Sequence, residues 1–167
     1  PEGYAFVGIH SGVSHDVAGD PYTDTRVAAF MGQKILSSLA QPDLTQGFLA
    51  RVDATQFETQ LIEQLPKRMT GSEFLKRYEK TNDPVTQVDP GKSYHVRAAT
   101  THHVLENSRV HRFVALLENT PDEKAIQQAG ALMYASHHSY SDCANLGHAM
   151  TDLIVNMVEE RGVSKGL

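Results

Sequence analysis

At 167 residues, with a net charge of −5 and a single cysteine, the sequence describes a chain the size of one ordinary domain. One thiol excludes an internal disulfide framework, the acidic balance gives no broad positive field for duplex nucleic acid, and there is no run of 18 apolar residues to cross a membrane. We read a cytoplasmic chain with no nucleic-acid or membrane partner. Its ends, Pro1 and Lys165-Gly166-Leu167, look like cuts in a longer protein, so residues 1–167 read as a single domain or domain fragment.

In chain order, Tyr4 to His10 (Y-A-F-V-G-I-H) is a short aromatic and β-branched run closed by Ser11-Gly12, which predicts a strand. Gly19-Asp20-Pro21 marks a turn. Thr23 or Asp24 is placed to cap a helix from Thr25 to Leu39, where Val27, Phe30, Met31, Ile35 and Leu39 recur at helical spacing. Asp43 is placed to cap a second helical stretch through Leu44, Phe48, Leu49 and Val52. A third, Thr55 to Leu65, sets Phe57, Leu61, Ile62 and Leu65 on one face, and Ser72 opens a short fourth with Phe74, Leu75 and Tyr78.

Two prolines between Thr81 and Lys92 exclude a long helix there and leave a loop with at most two short strands, Val85 to Val88 and Tyr94 to Arg97. Helical periodicity resumes at His102 or His103 and runs to Glu118. Thr120 and Pro121 then open a helix to about His138 that buries Ile126, Ala129, Leu132 and Met133. The last helix, from about His148 to Arg161, has the clearest apolar stripe, Met150, Leu153, Ile154, Met157 and Val158, and Gly162 stops it. The sum is an α+β chain, mostly helical with a short strand component.

Candidate chemistry concentrates in three places. The corner between the opening strand and the first helix gathers His10, Ser11, His15 and Tyr22, and such corners combine an open backbone with rigid flanks. A tyrosine in the first turn of a helix serves equally well as a rim packing residue. His102, His103, Glu106, His111, His137, His138 and Asp142 lie on or beside two consecutive helices, which leaves a metal-binding helical bundle open, although no H-E-x-x-H pattern occurs. Ala135 to Asn145 is rich in serine and histidine, as a helix terminus is, and it has no G-x-S-x-G elbow. Neither G-x-x-x-x-G-K-[ST] nor G-x-G-x-x-G appears, so no phosphate cradle is visible.

Three separated stretches together resemble the C-terminal half of sugar kinases of the GHMP superfamily, the group containing galactokinase. Ser11 to His15 (S-G-V-S-H) with Tyr22 and Arg26 is similar to S-G-V-x-H followed by Tyr and Arg. Glu106 to Arg109 is similar to E-N-x-R, and Ser136 to Ser139 to S-H-x-S, with Asp142 and Asp152 in register. A nearer likeness is to L-arabinokinases, through R-V-A-A-F-M-G-Q-K, N-D-P-V-T, E-N-S-R-V and H-H-S-Y-S-D-C.

The resemblance implies a kinase that phosphorylates a monosaccharide at its anomeric hydroxyl with ATP and Mg²⁺. Of that family's functional residues it carries over only Tyr22, as a sugar contact; His10, Ser11, Gly12 and His15 are adjacent to the site, and no catalytic residue or metal ligand falls in this segment. The phosphate loop and catalytic aspartate would precede Pro1 and a later glycine-rich motif would follow Leu167, so the remainder of its own kinase chain is the expected partner and the segment alone is expected to be inactive. At His10 related kinases carry Asp or Asn, which bears on the choice of sugar. A sugar-sensing or protein-binding module on the same fold stays open as an alternative.

Overall fold

The computed structural model describes residues 3–14, 19–39, 44–118 and 121–162. Four longer helices carry most of the structure: α1 (Asp20–Ser37), α4 (Val96–Leu117), α5 (Glu123–Asp142) and α6 (Ala149–Arg161). Between α1 and α4 lie a 3-10 turn (Leu49–Arg51) and α2 (Ala54–Gln56), which loosens into a π-helical Phe57–Leu61 and closes as a second 3-10 turn, Ile62–Gln64. Next come β1 (Met69–Thr70), α3 (Gly71–Tyr78) and β2 (Ser93–Tyr94). The strands pair antiparallel, Met69 opposite Tyr94 and Thr70 opposite Ser93. The architecture is thus a mostly helical α+β segment with a small sheet.

The core forms where α1 lies along α4. Val27, Ala28, Met31, Ile35 and Leu36 of α1 meet Val96, Ala99 and Val104 of α4, and Phe57, Leu61, Leu65, Phe74 and Tyr94 close the far side. The two helices approach closely at Gly32, where a Cβ would fall 1.8 Å from Thr100 Oγ1. Thr100 Oγ1 is itself fixed, donating 2.7 Å to the Val96 carbonyl. The opposite side of α4 packs on α5, which buries Ala129, Leu132 and Ser139.

Local chemistry explains several boundaries. Thr70 and Glu73 form a reciprocal capping box on α3: Glu73 N donates to Thr70 Oγ1 (3.2 Å) and Thr70 N to Glu73 Oε2 (2.9 Å). The helix therefore begins one residue before Ser72. Asp53 caps α2 by accepting from Gln56 N at 2.7 Å. His148 caps α6, with Met150 N donating to its Nδ1, and Gly162 ends that helix at φ +65°.

Other boundaries correct the sequence reading. Helix α1 starts at Asp20 on a Gly19 N-cap, so Pro21 sits in its first turn rather than in a preceding turn, where its missing N–H costs nothing. Residues 44–47 form a turn, not a helix, because Gln46 and Gly47 adopt φ of +44° and +85°. Helix α4 begins at Val96, six residues before His102, which converts the expected strand Tyr94 to Arg97 into Ser93–Tyr94 followed by helix. Val85 to Val88 is irregular: Asp83 accepts from Thr86 N and Oγ1, folding the chain into a knot that presents no strand edge. Helix α5 begins two residues past Pro121, capped by Asp122, with Ala125 N donating to its Oδ1 at 2.8 Å.

Tyr4 to His10 has no ladder hydrogen bond among the described residues, and its apolar side chains are exposed, apart from a ring contact between Phe6 and Phe113 at 6.3 Å. A strand exists through its pairing, and among the described residues no sheet edge is presented to this run. Met133, Met150, Leu153 and Met157, read as core residues, are likewise exposed. The capping candidates Asp43 and Thr120 lie outside the described residues.

Candidate functional site

The first half of α1 is the wall between two cavities. On one side Tyr22, Arg26, Ala29, Phe30 and Gln33 recur every three or four residues and face the turn 47–50, His102 and His103 of α4, and Tyr140, Ala144 and Leu146 at the end of α5, around about 410 Å³. On the other side Asp20, Asp24, Thr25 and Ala28 face Arg68, Tyr94, His95 and the 142–145 turn, around about 380 Å³. Thr25 and Ala144 line both. Between them, Thr25 Oγ1 donates to the Ala144 carbonyl at 2.5 Å, so one hydrogen bond seals the partition.

The first cavity is mainly apolar, with polar groups at fixed points. Tyr22 stands 41% exposed at its rim. The Arg26 guanidinium lies 5.4 Å from the centroid of the Phe30 ring and pairs with Asp83 at 3.0 Å. Asp83 is held below its ordinary carboxylate range, first by the Thr86 hydroxyl and also by Arg26. His102 approaches Ser139 Oγ through Nδ1 at 3.0 Å, and burial, with His103 beside it, lowers its pKa, so the ring is neutral near pH 7. His103 donates from Nδ1 to the Ala99 carbonyl at 2.8 Å. The second cavity is more polar, and at its edge Lys92 pairs with Asp24 at 2.9 Å, a bond that raises the lysine pKa.

The α4–α5 seam joins the motif residues of the two helices. Glu106 accepts from the Ser136 hydroxyl at 2.5 Å and pairs with Arg109 at 2.8 Å, while Ser139 meets His102. Asn107 donates to the Ala50 carbonyl at 3.0 Å, tying α4 to the cavity turn. The E-N-S-R and S-H-H-S stretches therefore meet each other, and these contacts hold helices together. Asp152 accepts from Ser141 Oγ at 2.8 Å and lies 2.9 Å from His137 Nε2. With the carboxylate in the middle, the trio is a tether for α6; a hydrolase relay needs the imidazole there. Among the described residues no three His, Cys, Asp or Glu side chains converge as metal ligands would.

Of the corner residues, the structure brings Tyr22 to a cavity. His10 is exposed on the extended run, and Ser11 Oγ accepts from Val13 N at 3.3 Å, a local turn bond that Gly12 continues at φ +74°. None of His10, Ser11 and Gly12 lines the cavity beside Tyr22, and His15 lies outside the described residues. Sequence reasoning missed Gln33 and Phe48, which share that cavity with Tyr22. The only local signal was that Tyr22, Ala29 and Gln33 fall on one helical face.

No protein-family profile and no solved structure matches the chain. Among curated proteins its likeness is to a sugar kinase. The relative in question is the L-arabinokinase of Arabidopsis thaliana, 31% identical over 186 aligned positions that take in 95% of this chain. The chain spans 18% of that protein's length.

Proposed function

We propose that the chain is a segment of an ATP-dependent sugar kinase that phosphorylates a monosaccharide, L-arabinose or a galactose-like sugar, at its anomeric hydroxyl. What carries the reading is the likeness to L-arabinokinase along nearly the whole chain. The Tyr22 cavity agrees with it, since a tyrosine at the rim of an apolar hollow offers a ring for the C–H face of a sugar and a hydroxyl for its O–H groups. Residues 1–167 form one domain or domain fragment of the intact enzyme.

Phosphoryl transfer asks a protein chiefly to position its reactants and to stabilise charge. The described residues suit the first task. No glycine-rich phosphate loop occurs in the sequence to cradle a nucleotide. We assign nucleotide, metal and catalytic base to other parts of the kinase, and to this segment the orientation of the sugar.

The test is coupled ATP turnover by the full-length protein against L-arabinose, D-galactose and their uronic acids, with segment 1–167 assayed beside it. Turnover by the full-length protein alone supports the reading and identifies the sugar. Sugar binding without turnover would replace the kinase with a sensor.

A further inference from the structure

The turn that joins α5 to α6 lines both cavities: Cys143, Ala144 and Asn145 belong to the polar one, Ala144 and Leu146 to the one with Tyr22 at its rim. Its near end leaves α5 through two backbone bonds, Ala144 N to the Ser139 carbonyl at 3.1 Å and Leu146 N to the Tyr140 carbonyl at 3.2 Å. Asn145, between them, holds φ at +55°, a conformation that a residue with a side chain adopts at a cost. Such a turn keeps its shape only where its surroundings hold it.

The far end of the turn enters α6, and α6 supplies no buried apolar anchor. None of its residues is buried, and Met150, Leu153 and Met157 lie exposed along it. What ties it back is Asp152. One oxygen of this carboxylate, Oδ1, accepts from the Ser141 hydroxyl at 2.8 Å and lies 2.9 Å from His137 Nε2. Glu159 meets His138 at 3.4 Å, a longer and weaker contact. Ser141 is also the residue on which the turn itself presses, since a Cβ at Gly147 would fall 2.1 Å from its Oγ. Asp152 therefore closes a loop that leaves the last turn of α5, runs through residues 143–148 and returns to the same turn of α5.

We propose that Asp152 is a positioning residue for the sugar site, clamping the 143–148 turn so that Ala144 and Leu146 complete the wall of the Tyr22 cavity. Asp152 lines neither cavity and acts through the turn. The clamp stands on geometry alone, and its bearing on sugar rests on the sugar-kinase reading.

The chemistry supplies a sharp control. The clamp needs an oxygen that accepts two hydrogen bonds, which the amide of asparagine has and the methyl of alanine lacks. A role carried by the negative charge would fail in both variants, whereas a clamp fails in one.

The deciding experiment is hydrogen exchange read by mass spectrometry on the full-length protein, as wild type, Asp152→Asn, Asp152→Ala and Ser141→Ala, with steady-state kinetics on the same preparations. In Asp152→Ala, amides of residues 143–148 and of α6 should exchange about tenfold faster while those of α1 and α4 keep their rates. The KM for sugar should rise about threefold or more, with kcat and the KM for ATP within about twofold. Asp152→Asn should stay within about threefold of the wild type in exchange, and Ser141→Ala, which removes one bond of the two, should fall between. Wild-type exchange of the turn in both Asp152→Ala and Ser141→Ala, or an asparagine variant as impaired as the alanine one, overturns the proposal, as does a rise in the KM for ATP equal to that for sugar. Should the wild type turn over no sugar while the exchange pattern holds, the kinase reading fails and the clamp stands.

Discussion

Tyr22 is the residue at which the chemical argument is most exposed to test. It stands at the rim of the first cavity, so it contributes contact area and a hydroxyl without holding the fold together. In the full-length protein Tyr22→Ala should raise the KM for sugar about tenfold or more while the KM for ATP stays within about twofold. Steady-state kinetics with each substrate varied in turn reads both, and an unaltered sugar KM removes Tyr22 from the site. Gly32 makes the opposite kind of case, a residue with no chemistry whose absence of side chain is the point. Its place against Thr100 Oγ1 leaves no room for a methyl group. Gly32→Ala should cost about 1–3 kcal/mol by forcing α1 and α4 apart, and adding Thr100→Ala should restore part of that loss in thermal melts.

At the scale of elements, the α4–α5 seam makes folding sensitive to pH through His102. Burial holds its folded-state pKa below the ordinary 6.5. The unfolded chain therefore binds the proton more readily, and the stability that neutral His102 contributes is complete above 6.5 and is lost as pH falls through the folded-state value. His102→Gln should flatten the decline in melting temperature on acidification from 6.5 down to the folded-state value, and an identical pH profile for the variant would contradict the account. The seam also shows where sequence stops being informative. The start of α6 at His148 and its end at Gly162 were legible, because caps act within a few residues. The start of α4 was not, because its N-cap residue, His95, makes no side-chain cap bond. Tyr22 was singled out by likeness of motif, and it stands at a cavity rim. Gln33 and Phe48 were not, since only the fold brings α1, the 44–48 turn and the end of α5 around one hollow. The run Tyr4 to His10 shows the converse, a strand pattern without a ladder partner among the described residues, because pairing is a property of two segments.

At the scale of the whole molecule, apolar surface is left uncovered among the described residues, notably at two stretches. Tyr4, Phe6, Val7 and Ile9 lie open on the leading run, and Met150, Leu153 and Met157 form a stripe on α6, a helix with no buried residue. Surface of this kind drives association when nothing covers it. Segment 1–167 prepared alone should self-associate at micromolar concentration, and Leu153→Glu with Met157→Glu should move it toward monomer in size-exclusion chromatography with light scattering. A monomeric wild-type segment would show that the stripe is too small to act. The partition between the two cavities has a different consequence. Because Thr25 and the Ala144 carbonyl belong to both, neither chamber can be remodelled from that side without altering its neighbour. Loss of the Thr25 hydroxyl would loosen the tie between α1 and the 142–145 turn on both sides at once, whereas changes at Phe30 or at Asp24 stay on their own side. Variation in ligand preference is thereby channelled to the outer walls, and the party wall between them is the position least free to change.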